Sequence, residues 1–557
     1  MRRLYPALIV LAVIVGFYNS PAGVFVFDDR VHILENPHIR SLEPVWGPLL
    51  QTTRPLVQWT LALNYAISGL APWSYHIFNG LIHIAGALVL FGIAKYALGR
   101  VASLSSAAPE LSALISVFWA IHPLQTESVT YVVQRGESMM GIFCLLVIHC
   151  GVRGSKSSSP VRWYVGGVVA CLAGLATKPV MAITPALMLI FDRTFIAGSF
   201  KRALGDRRGY YTALLLTSLL LPLLLFTHVE DWNKSAGFGG RITPFEYARV
   251  QPHVIFRYLR LTFWPDSLCL DYGWTTAQSI SLAVACGLGT ALLIGVSVFY
   301  FWRKPHLGFL GVWFFLTLFP TSSFIPIADV IFEHRMYLPL AAVSAAVVIA
   351  AFKGVNIVPL TASHRRIVFA LATGIISVAL IGRTILRNEE YASPIAIWNS
   401  AIEASPQSAR AHYSLGVVLA ENHRLDAAIV QFRNAIALKP EYAEAYYNLG
   451  NIFLARNLPA EAINCFSKAI ALTPSDAQMH NNLGVAFLHI KDASAATREF
   501  DQTLAIDPTN ASAHFNRARL AQAAGDYKLA LLNFRAALRT RPGWPEARHE
   551  LACLPGR

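Results

Sequence analysis

Charge is what this 557-residue chain has least of: 14% of its residues are Asp, Glu, Lys or Arg and 55% are hydrophobic, whereas soluble proteins carry about 25% charge. An ordinary soluble enzyme is thereby excluded. Acidic side chains are the scarcer kind, 32 against 46 Lys and Arg, which leaves a formal net charge of +14. Cysteine is sparse too. The seven residues form no C-x-x-C pair and no regular spacing, so neither a disulfide framework nor a zinc site is expected. Most sit in apolar runs as small buried hydrophobes. The fingerprints G-x-G-x-x-G and G-x-x-x-x-G-K-[ST] are missing as well, which disfavours a nucleotide-sugar donor or ATP drive.

What is present divides into two halves of different physical kind. Residues 2–387 hold 30 basic and 16 acidic side chains, and residues 388–557 hold 16 of each. The whole excess therefore belongs to the first half. Eleven apolar runs cross that half, at 4–18, 77–97, 111–121, 141–152, 163–177, 180–191, 210–227, 279–301, 307–319, 336–352 and 367–381. They predict a polytopic bundle of about 11 membrane spans, the shorter runs borrowing neighbours to reach the roughly 20 residues a crossing needs. If the N-terminus is cytoplasmic, alternate loops collect 17 basic residues against Glu110, Asp192 and Asp206, while the other side holds 13 of each sign. The +14 is then an orientation signal of the positive-inside kind. It gives no reason to expect a nucleic-acid partner, and the neutral second half falls outside the cytoplasm. The stretch 248–264 aligns Arg249, His253, Arg257 and Arg260 on one helical face, which suits a helix lying on the outside surface among membrane lipids.

The second half is a repeat array. Pro406, Pro440, Pro474, Pro508 and Pro542 recur every 34 residues, the period of tetratricopeptide hairpins. In phase come Leu415-Gly416, Leu449-Gly450 and Leu483-Gly484, then Ala428, Ala462, Ala496 and Ala530, then Phe432, Phe466, Phe500 and Phe534. The fourth repeat has Arg517-Ala518 where Leu-Gly is expected. The organisation predicted is a membrane domain over 1–387, whose first outside loop covers 19–75, and a leading helix over 388–408. Four repeats follow over 409–544, with a capping tail over 545–557. The fold class is all-α: a transmembrane bundle followed by an α-solenoid, which supplies protein recognition rather than chemistry.

Thirteen of the 16 acids of the first half lie outside, so a reactive centre belongs there. Asp28 and Asp29 stand ten residues beyond the first apolar run. A carboxylate at the bilayer edge, its pKa raised by low dielectric, can act as general base for a hydroxyl nucleophile. A second carboxylate could orient an acceptor or bind a metal.

The chain resembles the transmembrane and tetratricopeptide-repeat-containing protein O-mannosyltransferases and their bacterial relatives, membrane glycosyltransferases of the C-type fold. The resemblance is carried by Phe27-Asp28-Asp29 with Ile33 and Asn36-Pro37, by Arg54-Pro55-Leu56, and by His122-Pro123 with Glu127 and Arg135. It continues through Leu261-Thr262-Phe263-Trp264-Pro265 before Leu270-Asp271-Tyr272, and Glu333-His334-Arg335-Met336-Tyr337-Leu338-Pro339.

The resemblance implies a polyprenyl-phosphate sugar donor, with mannose the sugar expected, and transfer to a Ser or Thr hydroxyl of a protein on the non-cytoplasmic side. It maps the catalytic motif onto Asp28 and Asp29, either of which could be the base. A departing sugar phosphate needs cations. Arg335 is the first choice because guanidinium offers phosphate a bidentate fork, and Arg135, Lys178, Arg257 and Arg260 follow. Glu333, His334, Tyr337, His122, Glu127 and Arg54 are supporting candidates. No second carboxylate is evident as a covalent nucleophile, so a single displacement with inversion is expected. No cofactor is implied, and a divalent metal is permitted without being required. The repeats would hold the acceptor protein. A bacterial inner membrane, with the repeats in the periplasm, is the setting expected. A non-enzymatic scaffold for envelope or secretion proteins and a lipid-linked glycan ligase are the competing readings.

Overall fold

A computed structural model of the chain describes residues 4–42, 52–219, 242–274 and 279–555. Among the described residues there are helices and loops and no strand. Two compact units emerge, Met1–Ala404 and Ser405–Arg557.

In the first unit six helices are long and apolar enough to cross a membrane: Tyr5–Ala22, Trp73–Gly99, Val132–Gly154, Ile280–Arg303, Pro339–Ile357 and Ala362–Glu390. Two bent pairs raise the number to eight, Ser105–Ala120 with Pro123–Val129 at 56° and Pro179–Phe195 with Phe200–Asp206 at 112°. Pro160–Leu175 and Pro305–Leu318 are apolar but shorter. Every one of the eleven runs thus carries a helix, yet length supports fewer crossings than eleven among the described residues. Proline is the reason. Pro123, Pro160, Pro179 and Pro305 each open a new helical segment, because proline cannot continue a helix across its own missing N–H. The run 210–227 begins as the helix Arg208–Ser218, and its second half lies outside the described residues, as do residues 43–51 of the first outside loop. The unit is a multi-pass membrane protein. Ile280–Arg303 buries only Thr290 and Phe301, so its long apolar surface faces lipid.

Pro244–Phe263 is a helix that begins with a capping box between Thr243 and Glu246. It buries Tyr247, Val250, Val254, Tyr258 and Leu261 on one face and leaves Phe245, Phe263 and Trp264 exposed. It falls short of the apolarity of a span. At the centre of the bundle Trp73–Gly99 packs on Ala108–Ala120 and Arg135–Gly154. The Tyr337 ring fills the space that a side chain on Gly141 would need. Its hydroxyl meets His83 Nδ1 at 3.0 Å and its carbonyl accepts from Trp119 Nε1 at 2.6 Å. These contacts fix the start of Pro339–Ile357.

The second unit stacks four hairpins, Ala409–Glu421 with Leu425–Leu438, Ala443–Ala455 with Pro459–Leu472, Ala477–His489 with Ala493–Ile506, and Ala511–Ala523 with Tyr527–Thr540. Pro545–Ala552 follows, and Leu554 joins the cluster of Ala518 and Phe534. Gly450 is required by close approach: a Cβ there would sit 2.7 Å from the Phe466 ring. Within each hairpin one residue turns left-handed, His423, Asn457, Lys491 and Gly525 at φ +57°, +57°, +61° and +80°.

Candidate active site

The two neighbouring acids have different surroundings. Asp29 is fully buried. Its Oδ2 accepts from the Val26 N–H at 3.1 Å and its Oδ1 from the Val133 N–H at 2.8 Å, tying the loop to the segment after Thr126–Val129. Burial raises its pKa to about 8 even though both N–H groups favour the anion. Asp28 is half-buried. Its N–H donates to the Tyr131 hydroxyl at 2.9 Å, and its charge acts on His32 and Arg54. Phe27, just before it, has φ +49°, a costly conformation for a bulky side chain. The Trp398 ring holds Phe27 edge-on at 5.5 Å. Backbone strain is thus stored at the residue that aims Asp28.

Cations gather on the same side as Asp28. Arg54 precedes the helix Pro55–Ser68 and Lys178 precedes the turn Pro179–Ile183. The Leu56 N–H donates to the Ala176 carbonyl at 3.1 Å, which brings these two segments side by side. Lys178 is ion-paired with Glu137, and Glu137 and Asp28 both act on Arg54. His334 senses Lys178, Glu137, Arg335 and Arg54. Asp28, Arg54, Glu137, Lys178 and His334 therefore share one electrostatic neighbourhood built from five stretches of chain.

The segment 333–335 is held by internal partners, with Glu333 Oε2 buried and left without a hydrogen bond among the described residues. Glu127 accepts from the His334 N–H at 2.9 Å and lies 2.8 Å from its Nδ1. Glu333 Oε1 accepts from the Cys269 N–H and from the Tyr272 hydroxyl at 2.6 Å, and burial holds this carboxyl above its ordinary range. Arg335, expected to receive the phosphate, is buried. Its Nη1 donates to the Tyr247 hydroxyl and to the carbonyls of Thr321 and Val330, and its Nη2 to the Asp329 carbonyl at 2.6 Å. It secures the 321–330 loop.

Several other expected residues also have structural partners. Arg135 donates to Asn64 Oδ1 at 2.6 Å and to the Tyr75 carbonyl, deep in the helix contact. Arg257 donates to Ser267, and Arg260 pairs with Asp266 at 2.9 Å on the surface. His122 accepts from the Leu124 N–H and meets the Thr262 carbonyl at 2.9 Å. Tyr337 belongs to the core described above.

Glu137, His32 and Arg387 escaped the sequence reading. Arg387 is fully buried, pairs with Glu390, donates to Ser400 at 3.1 Å and acts on Glu333. A cation near the end of a spanning helix ordinarily snorkels to the interface, so nothing in the sequence signals the burial of Arg387. Among the described residues no three His, Cys, Asp or Glu side chains gather closely enough to hold a metal ion.

Tetratricopeptide-repeat models match residues 419–457 and 447–511. Protein O-mannosyl-transferase F38B6.6 of Caenorhabditis elegans is 25% identical over 444 residues, 73% of this chain and 59% of that protein. By sequence, the chain is similar to proteins named protein O-mannosyl-transferases. Protein O-mannosyl-transferase TMTC4 of Homo sapiens is 26% identical over 74% of this chain and 64% of its own length. TMTC3 of Homo sapiens reaches 30% identity over 30% of this chain and 19% of its own. The chain spans less than two thirds of the length of each of these relatives. Among solved structures, the crystal structure of MamA is 21% identical over 30% of this chain and 96% of its own, with a TM-score of 0.26.

Proposed function

We propose that this protein transfers a sugar, mannose by analogy with the names of its relatives, from a polyprenyl-phosphate donor to a Ser or Thr hydroxyl of a protein. The single observation that carries the proposal is the half-buried Asp28 within electrostatic reach of Arg54, which in turn lies close to Lys178. Asp28 takes the acceptor's proton while the acceptor oxygen bonds to the anomeric carbon. The bond from that carbon to the phosphate oxygen breaks, and the phosphate leaves with the electron pair toward Arg54 and Lys178. One displacement inverts the carbon. Asp29 fixes the loop that carries Asp28, Glu137 keeps Lys178 in place, and Arg335 anchors the neighbouring loop.

The reaction takes place on the side opposite the basic loops, the periplasm if the membrane is a bacterial inner membrane, and the repeats present the acceptor. The bundle is read as the C-type glycosyltransferase fold. The test is incubation of the purified full-length protein with labelled polyprenyl-phosphate mannose and Ser/Thr-containing acceptor protein. Label appearing on Ser or Thr in the inverted configuration is expected. Absence of transfer from every polyprenyl-phosphate hexose tried would favour the scaffold reading.

A further inference from the structure

A cavity of about 360 Å³ opens between the helices Trp73–Gly99, Pro305–Leu318 and Pro339–Ile357. Ala341, Ala342, Ala345, Ala346 and Ala350 form its wall on the last of these. Five small side chains on one helix leave a slot that leucines would close. From Ala341 to Lys353 the slot follows about 18 Å of helix at 1.5 Å per residue. Among the described residues that line it, His306 and Lys353, both exposed, are the ones that are not apolar. Lys304, exposed as well, stands two residues before His306.

A fatty chain moving from bilayer to slot exchanges one apolar medium for another, so burial alone gives little preference. Selectivity must come from the cations at the mouth. We infer that the slot holds one acyl chain of an anionic phospholipid whose phosphate is met by Lys353, Lys304 and His306. Basic recesses between membrane helices suit such head groups. A zwitterionic lipid brings its own cation to the mouth and loses the advantage. Glu333-His334-Arg335 precedes the start of Pro339–Ile357 and Lys353 lies near its end, so this head group is a helix length away from the site that would react with a sugar donor. The inference depends on the membrane location and not on the proposed transfer.

Native mass spectrometry of the full-length protein in mild detergent tests it with phosphatidylglycerol, phosphatidylcholine and undecaprenyl phosphate as separate probes. One equivalent of phosphatidylglycerol is expected to survive collisional activation that strips phosphatidylcholine. Lys353→Ala should weaken that retention about fivefold and the Lys304→Ala, Lys353→Ala pair about twentyfold, with Lys353→Arg restoring it. Ala346→Phe should abolish it. If that variant fails to fold, the exposed lysine variants still decide. Equal retention of phosphatidylglycerol and phosphatidylcholine, indifference to both lysine substitutions, or displacement of phosphatidylglycerol by undecaprenyl phosphate would overturn the inference.

Discussion

The two units bury different things. The solenoid hides phenylalanine, alanine and glycine, and its buried polar side chains are Ser408, His412, His480, Asn481, Thr503, Asn510 and Asn533, none of them Asp, Glu, Lys or Arg. The membrane unit buries Asp29, Glu127, Glu333, Arg335 and Arg387 at 5% exposure or less. Taking such groups out of water costs several kcal/mol each unless they are paired. A structure that retains so many has stability set aside for something other than packing. On the proposed function, the solenoid would recognise the acceptor and the bundle would hold charge where the transfer needs it.

Five substitutions, in four tests, probe this contrast. The largest effect is expected in the bundle: Arg54→Ala should lower the transfer rate by about 10²–10³, the range for removing one group that stabilises developing charge, with little change in thermal unfolding. Lys178→Met should lower the rate similarly while also lowering the unfolding temperature, because Glu137 loses its partner. Loss of fold in place of activity would make these cations structural. Gly450→Val should act in the opposite way. Its new side chain meets the Phe466 ring and destabilises the hairpin by about 1–3 kcal/mol, read as lost amide protection over residues 443–472.

The third test concerns pH. The Asp29 carboxyl rises from an ordinary 3.8 to about 8 on folding. Between those values the folded state keeps a proton that the unfolded chain has released, so stability falls as pH rises through this window. Asp29→Asn should remove a slope of about 1.4 kcal/mol per pH unit, measured by hydrogen exchange at Val26 and Val133 from pH 5 to 8. The smallest effect is Lys491→Gly, which relieves a left-handed backbone at φ +61° and should stabilise its hairpin by up to about 1 kcal/mol, seen as a small rise in solenoid unfolding temperature.

Legibility in the sequence differs between the units for a physical reason. In the solenoid the same requirement recurs every 34 residues, so Gly416, Gly450 and Gly484 explain one another, and each meets its own Phe. A second periodic device went unread. His412, His480 and His514 each bridge to a residue 19 positions on, Gln431, Glu499 and Asn533. The bundle has no such repetition. Charge pattern alone marked where the spans begin and end, but prolines broke several of them. Asp28-Asp29 was visible as a pair, while the division of surroundings between them depends on Tyr131 and Val133, about a hundred residues away. The partners that hold Arg335, the carbonyls of Thr321, Asp329 and Val330, are backbone groups that no residue pattern displays. Glu137 is legible only once Lys178 is beside it.

Sugar transfer from labelled polyprenyl-phosphate mannose by purified Asp28→Asn and Asp29→Asn proteins tests the central claim most directly. Asp28→Asn should lose about 10²–10⁴ of the rate, the span of general-base catalysis, at unchanged unfolding temperature, while Asp29→Asn keeps measurable transfer with an altered dependence of stability on pH. Full activity in Asp28→Asn, with loss confined to Asp29→Asn, would contradict it.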